Sequence, residues 1–365
     1  IKIMIYMDNA AATPIDPKVH QEMAEAMRLY ANPSSFNDAG RIARKQLDES
    51  RTSIARFLGA RPNEIVFTSS GSEANSLALF GLARNYSKSR EIITTLTEHP
   101  SVLESANDLA SRGWKITYLK VDKCGLIDLK DLERKLNPRV ALVSVIYANH
   151  EIGTIQPIIK ISKILKDFRN SLQAKQLTSW QANATTCPLL HVDACQATGY
   201  LDMNVNNLGV DLMTFNGTKI YGPRGIGVLY VRTGIPMRSL IFGGDQEHGL
   251  RAGTENLPAI VGLARAASLI NKNDTQRIST LRDYFLDKIK SKMPDVKVNG
   301  PSGSDRLANN INISIPNLSS ENLLLELDKF SIYASAGSAC TSRSTEPSHV
   351  LKAIGLPIEL AKGSI

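Results

Sequence analysis

The sequence predicts an α/β protein in which a mainly parallel, seven-stranded sheet is sandwiched by helices and joined to a smaller α+β domain. Three observations carry this. Seven short apolar runs between residues 64 and 231 are separated by stretches of helical period, and strands joined through helices need crossover connections, which make the sheet parallel and cover both its faces. The pattern changes after Thr254, where helical periodicity dominates. The 365 residues also allow two or three domains at roughly 100 to 200 residues each.

The elements follow in order. Ala43, Leu47, Ile54 and Leu58 recur at helical spacing, and Gly59 closes that helix. Glu64 to Ser69 reads as a buried strand running into a helix that starts near Ser72. A strand at Glu91 to Leu96, a helix from Pro100 to Ser111 and a strand at Trp114 to Lys120 come next, then a helix capped by Asp128 with Leu129, Leu132 and Leu136 facing inward. The remaining strands are Val140 to Tyr147, Leu189 to Asp193, Asp211 to Phe215 and Gly227 to Val231. The polar stretch from Arg169 to Leu190 has no clear period and reads as a surface loop or short helical excursion. Beyond Thr254 the pattern predicts one long helical region from Leu257 to Met293, a strand at Asn309 to Ile315 and a helix at Glu321 to Lys329.

Composition narrows the function classes. No apolar run reaches the roughly 20 residues that span a bilayer, and the start already carries Asp8 and Asn9, unlike a secretory leader. The expectation is a cytoplasmic protein without a membrane partner. A formal charge of +8 could point to nucleic acid, but the basic residues are dispersed. Lys288, Lys290 and Lys292 alternate without interleaved aromatic residues and read as a solvated face, so no direct nucleic-acid contact is expected. The four cysteines form no C-x-x-C pair, which argues against structural zinc and a disulfide framework.

The chemistry-bearing residues lie where strands end. The turn Ser70-Gly71-Ser72 joins a strand to a helix, and the first N–H groups of a helix, its dipole and the Ser72 hydroxyl make an anion cradle. Alone, the same turn reads first as an ordinary serine-capped helix. Asp193 closes a strand, and Lys219 follows in the turn Asn216-Gly217-Thr218-Lys219. A strand-end carboxylate can keep a pyridine nitrogen protonated, and a lysine can condense with a carbonyl as a Schiff base. Cradle, acid and lysine together ask for pyridoxal 5'-phosphate; separately, Asp193 and Lys219 could be a surface ion pair. His99 before Pro100 reads evenly as a helix cap or as a ring stacked on a cofactor and moving protons. Cys340 lies in a run of small residues, Ala334 to Ser342, where exposure favours reactivity.

These residues fall in segments that resemble the cysteine desulfurases of the NifS/IscS type, fold-type-I pyridoxal-phosphate enzymes of the class V aminotransferase family. The resemblance runs through Tyr6 to Pro14, Asn32-Pro33-Ser34-Ser35, Phe67 to Asn75, Thr97-Glu98-His99, His191 to Gln196, the Lys219 turn, Arg251 to Asn256, and the Cys340 loop with Glu346-Pro347-Ser348. It implies a large pyridoxal-phosphate-binding domain at 15–256, with 1–14 and 257–365 forming the small domain that carries the Cys340 loop. It also implies that Lys219 holds the cofactor and shuttles the Cα proton of L-cysteine. Asp193 would keep the ring nitrogen protonated, Gln196 would bond the ring oxygen, and His99 would cover the ring. Cys340 would attack the substrate sulfur, releasing alanine and keeping a persulfide for an acceptor such as an iron–sulfur scaffold or a tRNA-thiolation protein. Thr254 would reach the phosphate of the neighbouring subunit, so that the enzyme is a homodimer.

The sequence departs from that pattern in places. Asn216 and Thr218 stand where the family usually has Ser-x-His before the lysine; both can hydrogen-bond a phosphate without histidine's charge option. His150 replaces the second asparagine of Asn-Asn-Glu, a cofactor contact, and Asn37 replaces a histidine. The sequence ends at Gly363-Ser364-Ile365, before the family's Arg-Phe-Ser strand whose arginine clamps the substrate carboxylate, and the expectation is that a tail follows. A selenocysteine lyase or aminotransferase of the same fold, and an assembly partner without the chemistry, remain the alternatives.

Overall fold

The computed structural model describes residues 4–86, 90–174, 187–337 and 347–365. Its strands are β1 (Ile5–Tyr6), β2 (Ile65–Thr68), β3 (Glu91–Thr95), β4 (Lys115–Leu119), β5 (Val140–Ile146), β6 (Leu189–Asp193), β7 (Leu212–Asn216), β8 (Gly227–Val231), β9 (Lys297–Val298), β10 (Ile313–Ser314) and β11 (Ile332–Tyr333). The helices are α1 (Pro17–Ala26), α2 (Asp38–Leu58), α3 (Gly71–Ala83), α4 (Pro100–Ser111), α5 (Leu129–Lys135), α6 (Ile158–Ala174), α7 (Val205–Leu208), α8 (Leu257–Ser268), α9 (Lys272–Lys292), α10 (Ser320–Lys329), α11 (His349–Ala353) and α12 (Ile358–Lys362).

The central sheet has seven strands in the order β2-β8-β7-β6-β5-β3-β4, as expected. Strands β3 to β7 pair in parallel, whereas β8 runs antiparallel to both β2 and β7. Two reversals restore direction, so β2 points the same way as β7. Side chains alternate between the two faces, and each face meets its own core. Phe67, Ile93, Val143, Val192, Phe215 and Val228 pack with α2 and α8. Val66, Ile92, Leu142, Leu189, Leu212 and Leu229, each one or three positions from its counterpart along the strand, pack with α3 and α4. Both faces are therefore dry, which is why these strands read as continuous apolar runs.

Local signals act as read for two helices. Gly59 ends α2 in the left-handed conformation at φ 66°, and the Asp128 carboxylate accepts from the Lys130 and Asp131 N–H groups to start α5. Elsewhere tertiary context moves boundaries. Helix α6 continues to Ala174, past the start of the expected loop at Arg169, because Arg169 is tied down by Pro188 and Asp211 at 2.8 and 2.5 Å. The remainder of that expected loop, 175–186, lies outside the described residues. The long helical region expected from Leu257 to Met293 is made of two helices, α8 and α9, with the Asn271 side chain capping the second through the Asn273 N–H. Of the strand expected at Asn309 to Ile315, only Ile313–Ser314 is paired, to β9. Ile313 also exchanges two backbone bonds with Ile365, each 2.9 Å. Strand β1 pairs with β11, bringing the start of the chain beside its C-terminal portion. No helix among the described residues is long and apolar enough to cross a membrane.

Candidate active site

Strands that share a direction end on one edge, and in open parallel sheets that edge is where ligands bind. Here the segments that follow β2, β3, β5, β6 and β7 meet at a cavity of about 660 Å³. Gly71, Ser72, His99, His150, Asp193, Gln196, Asn216, Thr218 and Lys219 all line it. Nine of the residues singled out from the sequence, spread over almost 150 positions, are thus brought together. Thr254 is not: it is exposed and lies outside this cavity's lining. Cys340 lies outside the described residues.

The anion cradle is the start of α3. Ser70 caps it, its Oγ accepting from the Glu73 N–H at 3.1 Å, and Glu73 reaches back to the Ser69 N–H at 2.7 Å. The other Glu73 oxygen accepts from Arg251 Nε at 3.0 Å, so the turn is braced against the segment after residue 250. Glycine is required at two places here by close approach. A Cβ on Gly71 would stand 2.7 Å from Cys195 Sγ, and one on Gly227, opposite on β8, would stand 2.4 Å from the Ser70 carbonyl carbon.

Asp193 is only 2% exposed. Its Oδ1 accepts from the Cys195 N–H at 3.0 Å and its Oδ2 from Asn75 Nδ2 at 2.7 Å, which aims the carboxylate into the cavity. Asn75 was not singled out from the sequence. The available signal was its spacing: four residues after Gly71, it stands one turn along the same face of α3. Lys219 sits in a 3₁₀ turn held by Thr13, whose N–H and hydroxyl both donate to the Thr218 carbonyl while its Oγ1 accepts from the Tyr221 N–H at 2.7 Å. Lys219 Nζ donates to the Ala10 and Ala11 carbonyls, each at 2.6 Å, and Gln196 Nε2 also donates to Ala10 at 2.8 Å. The amide expected to bond a ring oxygen here holds the N-terminal loop that walls the cavity.

Of its two readings, the helix cap is the one that the hydrogen bonds of His99 show. His99 is the N-cap of α4, its Nδ1 accepting from the Ser101 N–H at 3.1 Å, and its ring also faces the cavity. Burial, then the neighbouring His150, push it down to about 4, so it is neutral at neutral pH. Beside it, Glu98 is fully buried; that burial, with Asp193 adding to it, pushes its carboxyl up to about 8 against a hydrogen bond from Thr95 Oγ1.

Glu98 is protonated in the folded chain but ionised above about pH 4.3 in the unfolded one, so its contribution is full below that pH and is lost as pH rises through 8. His99 and His191, both pushed down to about 4 by burial, act oppositely, adding stability as pH rises toward the ordinary histidine range. Glu98→Gln isolates the first effect. Between about pH 5 and pH 8 the wild-type unfolding free energy is expected to change unfavourably relative to the variant, by on the order of 3 kcal/mol. Urea titrations of both proteins at the two pH values measure it; parallel profiles would refute it.

The site leaves polar atoms over. Asn75 Oδ1, Asn216 Oδ1 and both ring nitrogens of His150 are buried without a hydrogen-bond partner among the described residues, which buried polar groups rarely tolerate unless a ligand completes them. A helix-start cradle, a buried acid, a lysine and spare amides fit a phosphorylated pyridine aldehyde.

Comparison with known proteins agrees. Residues 5–358 match the family described as aminotransferase class-V. The chain is 42% identical over 370 residues to the cysteine desulfurase IscS of Dictyoglomus turgidum, an alignment covering all of this chain and 89% of that protein. Among solved structures it is similar to a NifS-like protein, with 33% identity, a TM-score of 0.87 and coverage of 99% and 92% of the two chains. It is also similar to SspA in complex with cysteine, with 32% identity, a TM-score of 0.83 and coverage of 99% and 97%. Sheet order, the convergent edge and full-length identity lead to one statement: the chain belongs to the class-V aminotransferase family, whose cofactor is pyridoxal 5'-phosphate.

Proposed function

We propose that the chain is a cytoplasmic, homodimeric cysteine desulfurase that takes sulfur from L-cysteine, releases L-alanine and carries the sulfur as a persulfide on Cys340. The acceptor would be a protein such as an iron–sulfur scaffold or a tRNA-thiolation protein. One observation carries the reading: Lys219, Asp193 and the start of α3 face a single cavity in a chain 42% identical along its length to a cysteine desulfurase. Thr254, exposed and outside the lining of its own cavity, supports the dimer, as do the exposed Tyr30, Phe36 and Phe242.

Gly71 and Ser72 would hold the phosphate, Asp193 the pyridine nitrogen and Lys219 the aldehyde carbon, with His99 over the ring. When bound, the cofactor supplies an electron sink for carbanion chemistry next to the substrate amine. The chain does the rest. Asp193 holds a proton at the ring nitrogen, Lys219 moves the Cα proton, and the apolar wall made by Ile146, Ile313 and Ile315 excludes water.

The test is alanine and sulfide release from L-cysteine by cofactor-loaded protein with a reductant present. Cys340→Ala is expected to lose both by a factor on the order of 10³ or more while keeping the cofactor's absorption band. Undiminished alanine release by the variant, or none by the loaded wild type, would overturn the proposal.

A further inference from the structure

His150 is the departure from the family pattern that the structure makes most specific. Its side chain is 6% exposed and lines the cavity. Neither ring nitrogen has a hydrogen-bond partner among the described residues. Its ring centroid lies 5.4 Å from that of His99, edge-on, and 6.3 Å from that of His349. The carboxylate of Glu151, 1% exposed, stands with Oε1 3.5 Å from His150 Nε2. That is longer than a hydrogen bond but within ion-pair reach. The other Glu151 oxygen accepts from Ser348 Oγ, which fixes its direction.

The two cavity histidines are not equivalent. His99 Nδ1 is committed to the Ser101 N–H and meets the Ser101 hydroxyl at 2.8 Å, so a proton on His99 must sit on Nε2 and the ring serves as a donor. His150 has no such commitment. A carboxylate beside one nitrogen selects the tautomer with the proton on that side and leaves the other nitrogen as an acceptor, as a carboxylate orients the imidazole of a hydrolase triad. The asparagine of the family pattern offers an amide here, which cannot take a proton.

We propose that His150 is the proton acceptor for a thiol entering this cavity, with Glu151 as the group that orients its ring. The proposal rests on the reading of the site as one that handles L-cysteine. In the step, the S–H bond breaks, an N–H bond forms on the imidazole and the electron pair stays on sulfur. The imidazolium returns its proton to water when the site opens, and no oxidant or reductant is consumed. The titratable and charged groups around His150 are Glu151 on its own loop, His99 at the start of α4, His349 in α11, Asp193 at the end of β6 and Lys219 after β7, with Glu98 buried beside His99. Glu151 and Asp193 are the carboxylates of this set and Lys219 its amine. Burial works against ionisation of Glu151, but His150 and Ser348 outweigh it and hold that carboxyl below the usual range, so it is available as the anion.

The probe is 3-mercaptopropionate, a thiol without the amine that reaction requires, bound to cofactor-loaded protein and read by its thiolate ultraviolet absorbance across pH. In the wild type the bound thiolate is expected to form at least about one pH unit below the value of the same thiol free in buffer. His150→Asn should return the onset toward that value, with about tenfold less thiolate at neutral pH. Glu151→Gln should move it the same way by less. Superimposable titrations of wild type and His150→Asn would overturn the proposal; if His150→Asn does not melt like the wild type, an unchanged onset in Glu151→Gln overturns it instead. Alanine release from L-cysteine, scored separately, keeps the readings apart. A shifted onset without alanine removes the desulfurase reading and leaves the role of His150, whereas alanine without the shift removes only the role of His150.

Discussion

Lys219→Arg is expected to abolish cysteine turnover, by a factor on the order of 10⁴ or more, while the protein stays folded. The substitution keeps a positive charge and hydrogen-bond donors for the Ala10 and Ala11 carbonyls, which the lysine holds at 2.6 Å, so the N-terminal loop stays pinned. It removes the one property that the chemistry needs: a guanidinium neither condenses with a carbonyl nor gives up its proton at accessible pH. The turn itself is held by Thr13 rather than by the lysine, so the melting temperature should lie near that of the wild type. Alanine formation, melting temperature and the mass of cofactor fixed by borohydride measure the three parts. Turnover above about one-hundredth of the wild type, or cofactor still fixed to the chain, would refute this assignment of Lys219.

Asp193→Asn is the second large effect. It should lower kcat by about 10²- to 10³-fold, the scale seen when one preorganised electrostatic partner is removed from a reacting centre. The carboxylate is buried and aimed by two donors, the Cys195 N–H and Asn75 Nδ2. An asparagine presents one acceptor in place of two, so one of those donors loses its partner, at a cost of about 1 to 3 kcal/mol of stability. It also carries no charge with which to keep a proton on a ring nitrogen. Cofactor affinity should fall much less than kcat, because the anion cradle of α3 is a separate contact. Equilibrium titration with pyridoxal 5'-phosphate alongside steady-state turnover separates the two, and a variant whose kcat is within about threefold of the wild type would refute the role.

Much of this site was legible in one dimension, for reasons that are local. A strand followed by Ser-Gly-Ser and a helix makes an anion cradle wherever it occurs, and Asp193 and Lys219 each follow a strand in an alternating pattern that dictates parallel pairing. Parallel pairing puts such strand ends on one edge, so convergence of residues 99, 193 and 219 follows from the alternation itself, whereas residue 71 reaches that edge through the two antiparallel pairings of β8. The limits were those of pairwise geometry. That Asn75 aims Asp193, that Thr13 holds the Lys219 turn across 205 positions, and that Glu98 is buried deeply enough to hold a proton depend on distances between segments that nothing local encodes. The break between α8 and α9 and the extension of α6 belong to the same class, because a cap at Asn271 and partners for Arg169 decided where those helices start and stop.

By itself the sequence determined the α/β architecture, the edge on which the site lies and the residue types that meet there, because periodicity and turn chemistry act over a few residues. Only the tertiary structure decided what each group is free to do. His99 has spent one nitrogen on capping α4 whereas His150, among the described residues, has spent neither, and the difference arises from burial and from partners supplied by α4 and α11, elements brought together only when both faces of the sheet are covered.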